Sequence, residues 1–176
     1  EEHFVDAYYS FASMLGLQKP AGINWNGLFQ SDRNYELWNF EFPGTDRIMA
    51  INPSASKTER NWEINSYVKV IDYAHNKGIG VIVTGGSEQN ELNFNEQICH
   101  RCKESPLNLT GKIKLGALPY LYKKIDFLLA PDTGSIHIAC AVGTPVIGLY
   151  AVANPRLTGP YNANEFSINK FDLAFE

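Results

Sequence analysis

The chain has 176 residues, 44% of them hydrophobic, with 15 Lys and Arg against 19 Asp and Glu and a formal net charge of -4. That is enough apolar material for one good core and too short for two ordinary domains. The charges are spread without a like-signed block, which gives no electrostatic reason to expect a nucleic acid or an anionic membrane as partner. Three cysteines, Cys99, Cys102 and Cys140, are too few and too odd for a disulfide scaffold and fit a reducing compartment. The Cys99-x-x-Cys102 pair lacks the second pair a tetrahedral zinc site needs. No apolar run reaches transmembrane length and no signal-peptide pattern is present, so the expected location is the cytoplasm.

In chain order, Phe4 to Leu17 reads as one short helix stopped by Gly16 and Pro20. Residues Ala21 to Asp46 mix Gly, Asn, Pro and aromatics, with alternation near Glu36 to Phe42, and read as an irregular connector holding a short strand. From Arg47 onward short apolar runs alternate with segments of helical period. Strands are expected at Ile48–Ile51, Gly80–Thr84, Leu107–Leu109, Asp126–Ala130 and Pro145–Tyr150. Helices are expected at Trp62–Lys77, Glu88–Lys103, Leu115–Lys124 and Ser135–Val142. Strands that are apolar throughout, separated by helices, imply an α/β fold: a Rossmann-like, doubly wound parallel sheet covered on both faces, over residues 47–176.

In such a sheet ligands bind beyond the carboxyl ends of the strands, so the loops there are the places to search. After the first strand comes Asn52-Pro53-Ser54-Ala55-Ser56-Lys57-Thr58-Glu59-Arg60-Asn61-Trp62. Its hydroxyls and cations beside a helix start suit a phosphate, and a plain helix-capping loop is the competing reading. After the second, Thr84-Gly85-Gly86-Ser87-Glu88 lets backbone approach a ligand, or merely caps the next helix through Ser87. After the fourth, Pro131-Asp132-Thr133-Gly134-Ser135-Ile136-His137 leaves a buried strand and enters a helix whose first amides suit a pyrophosphate or a sugar hydroxyl. His137 lies one turn in, facing either this crevice or the core. Asp132-Thr133-Gly134 also spells an aspartic protease motif, but those are all-β proteins with two such carboxylates, and here one copy sits in an α/β pattern. The Asn108-Leu109-Thr110 sequon overlaps an expected strand and reads as chance.

Taken together, these segments resemble glycosyltransferase family 9, the heptosyltransferases. The matching segments are Asn52 to Ser56 with Arg60-Asn61-Trp62, Val81 to Gly86 with Glu88, Leu107 to Lys112 with Leu115, Asp132-Thr133-Gly134-Ser135-Ile136-His137-Ile138-Ala139, Gly143 to Tyr150, and Gly159-Pro160-Tyr161. The resemblance implies the C-terminal half of a GT-B glycosyltransferase, with residues 1–46 a helix and connector belonging to a missing N-terminal domain. It implies that Ser54, Ser56, Lys57 and Arg60 serve the phosphates of a nucleotide-sugar donor, with ADP-heptose the expected one. Glu88 would reach the ribose, backbone near Leu115 would meet the base, and Asp132, Thr133, Gly134 and His137 would surround the pyrophosphate and sugar. No metal and no cofactor are implied. The acceptor, a lipopolysaccharide core or similar glycan, would bind through the missing domain, which would also carry the catalytic base. The parent would then work at the inner face of the inner membrane, and this chain alone would bind donor and transfer nothing. Where the family loop reads Pro-Gly-Ala and Lys-x-Trp-Pro, this chain has Ser54, Arg60 and Glu63, which points to an altered donor preference. The family also adds a further C-terminal helix. The rival readings are a non-catalytic nucleotide or small-molecule binding module of Rossmann-like fold and a purely structural domain with Asp132 and His137 paired inside the core.

Overall fold

A computed structural model describes residues 2–19, 45–161 and 164–174. The connector's expected strand near Glu36 to Phe42 lies outside the described residues.

Six strands form one parallel sheet in the order β3-β2-β1-β4-β5-β6. The strands are β1 (Arg47–Ile51), β2 (Ile79–Val83), β3 (Leu107–Asn108), β4 (Phe127–Pro131), β5 (Val146–Tyr150) and β6 (Ile168–Asn169). Side chains alternate across the sheet, so each strand feeds two cores. Met49, Ile51, Val81, Val83 and Leu129 pack with Tyr67, Ile71, Ala74, Ile98 and Cys99 from α2 (Ile64–Asn76) and α3 (Gln89–Arg101). On the opposite face Ala50, Ile82, Leu128, Ala130 and Val146 pack with Leu121, Tyr122, Ile136 and Ala139 from α4 (Leu118–Tyr122) and α5 (Gly134–Ala141). A strand buried on both faces has no polar side to show, which is why these strands read as unbroken apolar runs. Helix α2 stops where Gly78 takes φ +70°, a conformation that costs a side chain and costs glycine little.

The doubly wound α/β class and the order of its main elements match the sequence reading, and four details differ. The helix expected at Leu115–Lys124 is a 3-10 turn, Leu115–Ala117, followed by α4. Pro119 in the first turn of α4 explains the break, because a ring that offers no N–H fits only where no intrahelical bond is needed. The helix expected from Trp62 starts at Ile64 with Glu63 as N-cap. A short α6 (Pro155–Thr158), capped by the Asn154 side chain on the Arg156 N–H, and the two-residue β6 gave no periodic signal.

The first helix, α1 (Phe4–Met14), has no buried residue and leaves Phe4, Tyr8, Phe11 and Met14 exposed. It is joined to the segment just after α6 by polar contacts. His3 accepts the Val5 N–H on Nδ1 and donates from Nε2 to the Gly159 carbonyl at 3.1 Å, which fixes the imidazole tautomer. Asp6 accepts from the Tyr161 hydroxyl and from Lys19 Nζ, the latter at 2.6 Å.

Candidate functional site

The order β3-β2-β1-β4-β5-β6 reverses its winding between β1 and β4, and a crevice opens there beyond the strand ends. It holds about 530 Å³ and is walled by the loops after β1, β2 and β4, the start of α5, the 3-10 turn at Leu115 and Thr158 of α6.

The loop after β1 is built inward. Asn52, Pro53, Ser54 and Ala55 are buried. The Tyr67 hydroxyl donates to the Pro53 carbonyl at 3.2 Å, and Asn61 Oδ1 accepts the Ala55 N–H at 2.7 Å. The plain capping reading of this loop is therefore not what the chain does, since α2 begins later and Glu63 makes no side-chain cap bond. Ser54 lines the crevice, but its hydroxyl donates to Asn95 Oδ1 at 2.9 Å, so its proton is already committed inside the protein. Ser56 lines the crevice from an exposed position. Lys57 is exposed and does not line it.

Arg60 reaches across from the β1 loop to the β4 loop. Its Nη1 lies 2.8 Å from Asp132 Oδ2 and 3.4 Å from the Asp132 carbonyl, the two side chains being 27% and 8% exposed. The crevice therefore contains an internally paired cation and anion at the junction of its two central loops. Asp132 pairs with Arg60 and not with His137, contrary to what a purely structural domain requires.

Helix α5 points its N-terminus into the same space. Thr133 is its N-cap and its Oγ1 accepts the Ser135 N–H at 3.2 Å, whereas the Gly134 N–H, at the first helical position, has no intrahelical acceptor. Gly134 is exposed and has nothing near the site of a Cβ. His137 lines the crevice and is exposed at its edge. Surrounding protein atoms nonetheless hold its imidazole below the ordinary 6.5, and the nearby Asp132 charge pulls the other way.

Beyond β2, Gly85 and Gly86 form the opposite wall. The carboxylate on this wall is Glu91, whose Oε2 accepts the Gly86 N–H at 2.7 Å, while Glu88 is the exposed N-cap of α3 and does not line the crevice. The capping role expected of Ser87 accordingly falls to Glu88, without a side-chain bond. Leu115, 72% exposed, forms an apolar end with Ile113 and Leu118.

Eight of the ten residues singled out in the sequence thus meet in one crevice. Asn52, Gly85, Gly86 and Ser135, which also line it, lie in the loops the sequence pointed to, whereas Glu91, Ile113, Leu118 and Thr158 were passed over. Ile113 and Leu118 flank the chosen Leu115 in an apolar stretch. Thr158 carried no signal, because the helix that places it is one turn long. Beneath the crevice, Asn52 Nδ2 donates to Ser135 Oγ at 2.8 Å, and the Tyr122 hydroxyl lies 3.5 Å from Thr84 Oγ1. Among the described residues no three His, Cys, Asp or Glu side chains gather as a metal site, and no helix is long and apolar enough to cross a membrane.

The family model for glycosyltransferase family 9 (heptosyltransferase) matches residues 1–173. The lipopolysaccharide core heptosyltransferase OpsX of Haemophilus influenzae is 38% identical over 160 residues, covering 91% of this chain and 46% of that protein. The chain therefore spans about half the length of this curated relative. Among solved structures, a family 9 glycosyl transferase from Veillonella parvula superposes with a TM-score of 0.75 at 24% identity, covering 96% of this chain and 48% of the other. The ADP-heptose lipopolysaccharide heptosyltransferase II of Escherichia coli gives 0.67 at 18% identity, covering 80% and 44%. At these identities the structural likeness speaks for the fold alone.

Proposed function

The chain belongs to glycosyltransferase family 9, and from that premise we propose that it is the donor-binding half of a GT-B enzyme that moves heptose, or a similar sugar, from a nucleoside diphosphate to a lipopolysaccharide-type acceptor. The observation that carries this reading is the meeting of Arg60, the free first amide of α5 and the glycine wall in one crevice at the switch point of the sheet. Anionic oxygens are stabilised by a helix N-terminus and by a guanidinium, and glycines admit a ligand close to backbone. The exposed apolar end at Leu115, Ile113 and Leu118 suits a flat base, and ADP is the nucleotide to expect from membership of the heptosyltransferase family.

The reaction proposed is direct displacement with inversion. A base in the other half of the parent protein deprotonates the acceptor hydroxyl, while Arg60 and the α5 amides offset the charge gathering on the departing diphosphate. No metal or cofactor is needed for that role. Residues 1–46 then belong to the junction with the other half, and the parent works in the cytoplasm at the inner face of the inner membrane, where its acceptor is held. Of the phosphate-side residues, Ser56 and Arg60 remain open to a ligand, Ser54 contributes shape more than a proton, and Glu91 takes the ribose-side position first given to Glu88.

Calorimetric titration with ADP, GDP and UDP tests this. Selective ADP binding that Arg60→Ala weakens by about tenfold or more, the scale of a charge-assisted hydrogen bond, supports the reading. Equal binding of all three nucleotides, or ADP binding indifferent to Arg60, refutes it.

A further inference from the structure

A polar residue stands in the apolar stripe of α3. Ile98 and Cys99, three and four residues on, are buried in the sheet-facing core, and at the matching position one turn earlier stands Asn95. Asn95 is 0% exposed. Burying an amide is costly unless its donors and acceptor are met, and here they are met by three different loops. Asn95 Oδ1 accepts from Ser54 Oγ at 2.9 Å, in the loop after β1. Nδ2 donates to the Thr84 carbonyl at 3.2 Å, at the end of β2, and to Thr110 Oγ1 at 3.0 Å, in the loop after β3. No other side-chain type of this size both donates twice and accepts in one plane.

Gly85 closes the arrangement. A Cβ there would stand 2.6 Å from Asn95 Nδ2 and 3.0 Å from Thr110 Cγ2, so the glycine wall of the crevice lies directly against this amide. The Gly85 carbonyl in turn accepts the Gly111 N–H at 3.1 Å, joining the β2 and β3 loops a second time. Asn95 itself does not line the crevice, yet Ser54 and Gly85, which do, are held by it.

We propose that Asn95 is the positioning residue of the crevice: one buried amide sets the relative placement of the loops after β1, β2 and β3, and nucleotide affinity depends on that placement. The affinity part rests on the function proposed above, and the placement part does not. Preorganised loops bind a ligand without the entropy cost of being ordered by it. Loosening them therefore weakens binding while the strands beneath, held by their own ladders and two cores, stay as they are.

The test compares the intact chain with Asn95→Ala and with Thr110→Val, which keeps the volume and removes one of the three bonds. Amide hydrogen exchange is followed along the backbone, and ADP affinity is measured calorimetrically on the same samples. The expected result is faster exchange by tenfold or more at residues 52–56, 84–87 and 109–112 together, with β1, β2 and β4 unchanged. Thr110→Val should move the same segments by less, and it serves alone where Asn95→Ala does not fold. ADP affinity should fall about tenfold in Asn95→Ala, and adding Ser54→Ala should cost nothing further, since the two act through one bond. Exchange confined to α3, or loops unchanged in either folded variant, overturns the proposal. So does ADP affinity within twofold of the parent when the loops have loosened. Failure of the unsubstituted chain to bind ADP would sink the proposed function, and the exchange pattern would still decide the role of Asn95 in placing the loops.

Discussion

Replacing Asp132 by Asn should make the crevice bind ADP more tightly, although Asp132 belongs to the segment most characteristic of the family. The reason is the Arg60 to Asp132 pair at 2.8 Å, in which the one arginine that lines the crevice among the described residues is already occupied. At that distance and an effective dielectric of about 20, opposite unit charges attract by about 6 kcal/mol before desolvation is counted. Because Arg60 keeps 27% of its side chain in solvent, the net worth of the pair is closer to about 1 kcal/mol. A phosphate recruiting Arg60 has to displace or share that partner and also meets the carboxylate's own repulsion. Asn keeps the shape and removes both, so the ADP dissociation constant should fall about fivefold, following about 1 kcal/mol of released competition. Arg60→Ala should raise it, and in an Arg60→Ala background Asp132→Asn should gain much less. Titration at two salt concentrations completes the assay, because the gain should shrink as salt screens the exposed part of the pair. Weaker ADP binding by Asp132→Asn, or the same gain with and without Arg60, would show that the carboxylate serves the ligand directly and that the competition argument is wrong.

Other consequences are simpler to check. The His137 imidazole is held below 6.5 in the folded chain, so the unfolded chain takes up that proton more readily; the stability it contributes is full above 6.5 and is lost as pH falls through the lowered folded value. Melting temperature should therefore drop more steeply below pH 6.5 in the parent than in His137→Gln, and parallel curves would remove the basis for this assignment. Gly85→Ala drives a Cβ against Asn95 and Thr110 and should cost about 1–3 kcal/mol, a fall in melting temperature of about 2–12 °C. Thr133→Val removes the cap of α5 and should cost about 1 kcal/mol by denaturant titration, with Thr133→Ser close to the parent.

The sheet was legible because each of its long strands is apolar on both faces, a pattern that survives without knowing the partners. The crevice was legible in its loops for a related reason: hydroxyls, cations and glycines stand where strand ends must deliver them. What escaped is what depends on distance across the fold. The phosphate-side hydroxyl of Ser54 looks available along the chain and is bound to Asn95, 41 residues away. Arg60 looks like an unpaired cation and is matched to Asp132, 72 positions on. Glu88 and Glu91 lie on one short stretch, and only the way α3 begins decides which carboxylate turns to the glycine wall. Asn95 carries a signal of its own, a polar residue interrupting the spacing of Ile98 and Cys99, but along the chain nothing separates it from the other polar positions of that helix.

The sheet ends on each side in a strand of only two residues, β3 and β6. At about 3.3 Å of rise per residue, β3 and β6 themselves each offer roughly 7 Å of ladder. So short a terminal strand is by itself a poor template for a foreign strand, even with Ile168 half in solvent at one of them. Among the described residues, the exposed Phe4, Tyr8, Phe11 and Met14 of α1 hold out an apolar surface of a different kind, made of side chains.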